Sequence, residues 1–381
     1  MLKTFKLGFI GGGLNSAIGT THKIAAQMDN RFVVHSGCFS RQTDICRETA
    51  EAWNIEKYDP DFIKYLDNEQ GNIDAVVVLT PTNFHTPVII EALNRGLPVI
   101  CEKTLTNSLA DAKLIQSVIE KNNGFLAVTY NYTGYPMIRE LEAMIRCGKL
   151  GNITQVNIQM PQESFIRLDP NGDIPVPQSW RLKDGDIATI SLDLGTHISN
   201  MVSFLTGAEP IEVVAKANSY GHFNVIDNMM CLVRYTEGID CHIWYSKSAL
   251  GHKNGLKVEV YGTKGSAVWY QMDPEFLEYN DNVGRNIMLD RSSKDILVAN
   301  APKYNRFKSG HPAGFIEAFA NHYLDIYDAL QAYKQGETIP YNRYVFNIYE
   351  SVRELSMMQS IEQSIQNNRW EQINADNQTG N

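Results

Sequence analysis

Apolar and polar positions change rhythm about a third of the way along the chain. Up to residue 129, short apolar runs alternate with stretches of helical spacing. Residues 6–10 read as a strand, Gly11-Gly12-Gly13 as a turn, and the next stretch through 24–28 as a helix. A strand over 31–39 and a helix over 43–53 follow. Residues 74–79, Asp-Ala-Val-Val-Val-Leu, are almost continuously apolar, as expected of a central parallel strand buried on both faces. Then come a helix over 87–94, a strand over 99–101, an amphipathic helix over 108–121 and a strand over 125–129. Leu109, Ala112, Ile115, Val118 and Ile119 give that amphipathic stretch its helical spacing. The alternation predicts an α/β domain, residues 1–129, built on a doubly wound parallel sheet.

The second domain, residues 130–381, reads differently. A helix over 137–147 is closed by Gly148, and a helix over 191–205 is set among strands over 154–160, 212–218, 229–236, 240–246 and 257–261. The last strand faces one over 266–270 across Gly262-Thr263-Lys264-Gly265, a hairpin signal. Hairpin-linked neighbours predict an open antiparallel sheet, with helices over 313–331 and 344–361. Strand 229–236 carries apolar residues on both alternating sets, Met230 and Leu232 on one, Cys231 and Val233 on the other. An apolar sheet face is rarely left in water, so a homo-oligomer, dimer or tetramer, is expected.

Composition narrows the functional classes. A net charge of -9 without a long basic cluster argues against nucleic acid as a partner. Six scattered cysteines without a Cys-x-x-Cys pair argue against a disulfide framework or a zinc site, and fit a reducing cytoplasm. The dispersed histidines give no ligand cluster, so no metal is expected. No run is long enough to cross a membrane. The first apolar run breaks at Gly11 with no Ala-x-Ala-like site after it, so no cleaved export signal is expected.

The strand–glycine–helix order at the start suits a backbone that wraps a pyrophosphate, with Gly11, Gly13, Leu14 and Asn15 in the loop. The third glycine of a Gly-x-Gly-x-x-Gly pattern is replaced by Ser16, and Gly19 restores it only if the loop is three residues longer. At the end of the second strand, an acidic residue would bond the ribose 2′-hydroxyl of NAD. Here Ser40 and Arg41 stand instead. A guanidinium suits a 2′-phosphate and can also stack on adenine, which leans toward NADP. Thr80-Pro81-Thr82-Asn83-Phe84-His85 follows the central strand; Asn83 and His85 are candidates for the nicotinamide side, and Pro81 and Asn83 equally fit a plain turn. Glu102 and Lys103 stand at a strand's carboxyl end, where such sheets bind ligands. A lysine there can polarise a hydroxyl or carbonyl, and Glu102 can orient it or bond the nicotinamide ribose. Asp193 and His197, four apart on a helix, share a face. They fit either a proton-transfer pair or a capping aspartate beside a buried histidine. Asn131, Tyr132, Trp180, Arg181 and His311 are candidate contacts for a sugar ring, or core residues.

Gly11-Gly12-Gly13 with His22, Cys101-Glu102-Lys103-Thr104 and Asp193-Leu194-Gly195-Thr196-His197 together resemble the Gfo/Idh/MocA family of NAD(P)-dependent oxidoreductases. Thr80-Pro81 with His85, and Gly310-His311-Pro312 through Ala318-Phe319, look like further family segments. The resemblance spans nearly the whole chain. It implies a Rossmann domain followed by an α/β domain with an open antiparallel sheet. It also implies NAD(P) as cofactor, a sugar or cyclitol substrate, and Lys103, Asp193 and His197 as catalytic residues in a cleft between the domains. The family usually has a proline after the lysine, often in a cis peptide. Thr104 takes its place, and a non-proline cis bond costs about 3 kcal/mol, so a somewhat different lysine position is expected. Some relatives are glycosidases that use NAD for transient oxidation, and others are non-catalytic sensors; Lys103, Asp193 and His197 speak against a sensor.

Overall fold

The computed structural model describes residues 3–337 and 342–374. Two compact units are present: Met1–Gly134 with Gly314–Val352, and Tyr135–Ala313 with Arg353–Asn381.

The first unit alternates strand and helix as its patterning predicts. β1 (Phe5–Gly11), α1 (Gly19–Gln27), β2 (Phe32–Cys38), α2 (Thr43–Trp53) and β3 (Lys57–Tyr58) come first. α3 (Phe62–Glu69), β4 (Ala75–Leu79), α4 (His85–Asn94), β5 (Val99–Glu102), α5 (Leu109–Asn122) and β6 (Leu126–Thr129) follow. The sheet order is β3-β2-β1-β4-β5-β6, and every pair is parallel. β4 is buried throughout, which is why its sequence does not alternate. The strand order reverses between β1 and β4, so the loops after these strands flank the topological switch point where ligands of such sheets bind.

The second unit contains α6 (Pro136–Arg146), β7 (Ile153–Pro161), α7 (Thr196–Thr206), β8 (Pro210–Asn218), β9 (Asn228–Tyr235) and β10 (Ile239–Ser246). β11 (Lys257–Gly262), β12 (Gly265–Tyr270), β13 (Leu277–Asp281) and β14 (Asn286–Leu289) continue it. α8 (Phe315–Lys334) belongs to the first unit, α9 (Ile348–Asn367) spans the last change of unit, and β15 (Glu371–Gln372) is the last strand among the described residues. The nine-stranded order is β14-β13-β12-β11-β7-β10-β9-β8-β15. The expected hairpin pairs β11 with β12. The sheet is mixed rather than wholly antiparallel, because β7 and β10 pair in parallel while the other pairs run antiparallel. Along β9 the burial alternates: Cys231 and Val233 are buried, whereas Met230 and Leu232 are exposed.

The units differ from the expected division at 129/130. The first runs on to Gly134 and takes back 314–352. The reason is the apolar face of α8. Phe319, Tyr323, Ile326, Tyr327 and Leu330 join the core of β1 and β2, with the Tyr327 ring 5.0 Å from Phe5 and Tyr323 5.7 Å from Phe32. Among the described residues, no helix is long and apolar enough to cross a membrane.

Candidate functional site

In the first unit, the glycine turn forms a cradle at the end of β1. Gly11 has φ 81°, and a Cβ there would sit 2.6 Å from the backbone of Leu79 and Thr80. Gly19 is the first residue of α1, and a Cβ on it would fall 1.8 Å from the Gly12 carbonyl oxygen. Gly19 is therefore the glycine that lets helix and turn touch, across a loop of greater than usual length. Gly13 N–H donates to Phe39 O at 3.2 Å, and Leu14 N–H to Thr49 Oγ1 at 3.1 Å. Leu14 and Asn15 stand exposed at the loop tip. The α1 N-cap, Ile18, offers no side-chain cap, and the buried Thr80 Oγ1 finds no hydrogen-bond partner among the described residues. Ser16 Oγ accepts from the Ile18 and Gly19 N–H groups at 3.3 Å each; a helix N-terminus beside a glycine cradle fits a dinucleotide pyrophosphate.

Beyond β2, Ser40 Oγ accepts from Gln42 N–H at 3.1 Å. The Arg41 guanidinium lies over the Phe84 ring, 4.4 Å from its centre. Phe84 closes the short 3₁₀ turn Thr82–Phe84 after β4, in which Asn83 is exposed beside Thr80 and Pro81. Sequence reading passed over Phe84, although its place one residue after Asn83 put it at the same strand end.

His85, expected on the nicotinamide side, is instead 1% exposed and faces the chain. Its Nε2 lies 2.7 Å from Thr80 O, and its Nδ1 3.1 and 3.0 Å from Thr104 O and Leu105 O. Burial lowers its pKa against the hydrogen bonds and the Glu102 charge that raise it. Both ring nitrogens face backbone carbonyls, and a neutral ring donates to only one side, so His85 packs the end of β4 against the segment after β5. The Lys103–Thr104 peptide is cis, which corrects the expectation drawn from Thr104; Thr104 is buried and its carbonyl faces His85.

Lys103, half-buried, follows Glu102 at the carboxyl end of β5. The Glu102 carboxylate accepts from Thr129 Oγ1 at 2.6 Å and lies 3.5 Å from His22 Nε2. Burial would raise this carboxyl, but His22, the Lys103 ammonium and the Thr129 hydroxyl together hold it at about 2. His22 Nδ1 is 2.8 Å from the Tyr323 hydroxyl. A ring that accepts that hydroxyl presents its Nε2–H to Glu102. A buried line Tyr323–His22–Glu102–Thr129 thus stands behind Lys103. Asn131 and Tyr132, in the 3₁₀ turn Asn131–Gly134, are buried; Asn131 Nδ2 has no hydrogen-bond partner among the described residues, and the Tyr132 ring meets Phe315 at 6.0 Å.

In the second unit, the predicted helix over 191–205 begins as one π turn, Ser191–Gly195, and continues as α7. Asp193 and His197, 9% and 8% exposed, lie one turn apart on it. Asp184 pins the approach: its carboxylate accepts Thr189 N–H at 2.9 Å and Ile226 N–H at 2.8 Å. Asp193 Oδ2 pairs with the Arg181 guanidinium, and with Lys247 Nζ at 2.5 Å. Arg181 also lies over the Trp180 ring, 4.3 Å from its centre. The fold therefore gathers Asp193, Arg181 and Trp180, with His197 on the same helix. It adds Lys247, a basic residue just past a predicted strand that sequence reading did not single out. His311 is exposed on a separate segment, its ring edge-on to Phe307 at 4.5 Å and its carbonyl accepting from Arg291 at 2.8 Å.

Comparison with known proteins identifies the family of both units. Residues 5–130 match a model described as the oxidoreductase family with an NAD-binding Rossmann fold. Residues 138–268 match the GFO/IDH/MocA C-terminal domain. A solved oxidoreductase from Sinorhizobium meliloti is 32% identical with a TM-score of 0.83, covering 97% of this chain and 99% of that one. An inositol dehydrogenase homolog from Azotobacter vinelandii, solved with NADH and myo-inositol, is 26% identical with a TM-score of 0.84, covering 97% of this chain and 98% of its own. The uncharacterized oxidoreductase YfiI of Bacillus subtilis is 29% identical over 362 residues, 90% of each chain.

Proposed function

Because the chain belongs to the Gfo/Idh/MocA family of oxidoreductases, we propose that it transfers hydride between NAD(P) and a secondary alcohol or ketone of a sugar, cyclitol or sugar derivative. The observation that carries this reading is the Asp193–His197 pair, buried on one helical turn and held by two cations. Two charge-assisted contacts on one carboxylate fix the position of Asp193 more firmly than neutral hydrogen bonds would. The neighbour solved with NADH and myo-inositol supports the substrate class.

Gly11, Gly13, Leu14 and Asn15 would hold the pyrophosphate, Ser40 and Arg41 the adenosine ribose, and Thr80, Pro81, Asn83 and Glu102 the nicotinamide half. The bound nicotinamide supplies or accepts the hydride. His197 takes the proton of the substrate hydroxyl, or returns it in the reverse direction. Lys103 polarises the same oxygen, and Glu102 keeps its ammonium in place. Arg181 and Trp180 offer a donor and an apolar ring face to a sugar, with Asn131, Tyr132 and His311 as further contacts. Screening sugars and cyclitols with NAD and NADP tests the reading: at least one should give substrate-dependent reduction of the nicotinamide, and net hydrolysis without it would overturn the reading.

NADP is the favoured dinucleotide. The Arg41–Phe84 contact is worth about 0.5–1 kcal/mol at an exposed site, whereas a charge-assisted bond to a 2′-phosphate contributes about 1.5–3 kcal/mol. The guanidinium should leave the ring when the phosphate is present. Net of the lost ring contact, Arg41→Ala is expected to weaken NADP binding by about 2- to 70-fold and NAD binding much less. Fluorescence titration checks it; equal losses, or a wild type that prefers NAD, would reject the assignment.

The outer face of the nine-stranded sheet is the proposed contact between copies. Met230 and Leu232, 45% and 43% exposed, border a groove of about 560 Å³ that also includes His242, Trp244 and Lys257. Light scattering at micromolar concentration should give a dimer or tetramer mass, and Leu232→Arg should shift it toward the monomer. A monomeric wild type would exclude the interface.

A further inference from the structure

One of the two cations on Asp193 has no step of its own in the reaction as proposed above. Lys247 follows β10 and is 2% exposed; among the described residues it is the only lysine so deeply buried. Its backbone is fixed on both sides, with N–H donating to Asp227 O at 2.7 Å and the carbonyl accepting from Phe165 N–H at 2.8 Å. Its ammonium lies 2.5 Å from Asp193 Oδ2 and 5.1 Å from the centre of the Phe165 ring. An isolated buried ammonium is costly, and the pairing with Asp193 offsets part of that cost.

Asp193 Oδ2 has a second cation, and the two differ in what they can do. The Arg181 side chain is 27% exposed and sits on the short 3₁₀ turn Ser179–Leu182, over the exposed ring of Trp180. Lys247 comes from a strand end whose main chain is bonded on either side, and its side chain is 3% exposed. Arg181 has room to exchange the carboxylate for a substrate oxygen. Lys247 does not, and it keeps Asp193 in register whichever partner Arg181 takes.

We infer that Lys247 is a positioning residue for the proposed hydride transfer. It anchors Asp193 on the π turn one turn before His197, so that Arg181 can move to the substrate without loosening the pair. The inference rests on the functional reading above, and the test separates the two. In Lys247→Met, kcat should fall by about tenfold or more while cofactor affinity stays within about twofold, as expected when a proton-transfer geometry is loosened. The same change in an Asp193→Asn background should cost little further, because the carboxylate it anchors is gone. Urea unfolding gives a second measure: the double variant should be destabilised by less than the sum of the two single variants, because both changes break the same buried ion pair. A folded Lys247→Met protein with wild-type kcat, or equal losses in both backgrounds, would overturn the inference even where His197→Ala is inactive. If His197→Ala itself kept full turnover, the functional reading would fail instead.

Discussion

Replacing His197 with alanine is expected to lower turnover by about 100- to 10,000-fold, the usual loss when a positioned proton-transfer group is removed. Cofactor affinity should remain nearly intact, since His197 lies on α7 and the glycine cradle is built by β1 and α1. An imidazole nitrogen can accept and return a proton, which suits His197 to take a hydroxyl proton as hydride leaves the same carbon. Lys103→Ala should cause a loss of the same order, because the oxygen that gives up the proton then lacks its cation. The double variant should fall short of the product of the single losses if both residues serve one step. Steady-state kinetics on a substrate found by screening provides the check. Near-wild-type turnover in either single variant would leave Asp193 and His197 as a structural pair.

The second large effect is expected at the glycine turn. Gly13→Val would place a Cβ 3.0 Å from Phe39 O and 3.1 Å from Thr49 Oγ1, tight but within reach of small shifts. The protein should therefore fold, with added methyl groups crowding the cradle. Overpacking of this kind costs about 1–3 kcal/mol of stability, and the same methyl groups stand where the backbone must approach the pyrophosphate, so dinucleotide affinity should fall by about tenfold or more. Gly19 is the harsher site, since its Cβ would overlap the Gly12 carbonyl and threaten the packing of α1 itself. Unchanged cofactor affinity in a folded Gly13→Val protein, measured by titration, would move the pyrophosphate elsewhere.

Periodicity made the first unit legible. β4 is buried on both faces and therefore spelled out in apolar residues, and the glycine turn announced itself by standing between a strand and a helix. The return of α8 to that unit was not legible. An amphipathic helix declares that it has an apolar face, not which sheet receives it, and Phe5 and Phe32 lie far from Tyr323 and Tyr327 in sequence. The parallel pairing of β7 with β10 was hidden for the same reason: alternation fixes a strand's faces but not its neighbours.

At the site, Asp193 and His197 were legible because four residues along a helix is a local spacing. Lys247 and Phe84 were not, since each meets its partner only after the chain has folded. His85 shows the converse. A strand-end histidine can point out to a ligand or in to the chain, and two carbonyls after β5 settled the direction. Glu102 was placed correctly at the end of β5, but the His22 and Tyr323 line behind it depends on α1 and α8 packing against that strand end.

Hydride transfer from a substrate carbon is the central claim, and isotope labelling reads it directly. A sugar or cyclitol that reduces the nicotinamide would be prepared with deuterium on the carbon to be oxidised, and the reduced cofactor analysed by NMR. Deuterium on the nicotinamide ring carbon that accepts hydride, in one-to-one ratio with oxidised substrate, is the predicted result. Substrate turnover that leaves the nicotinamide unlabelled and unreduced would contradict it.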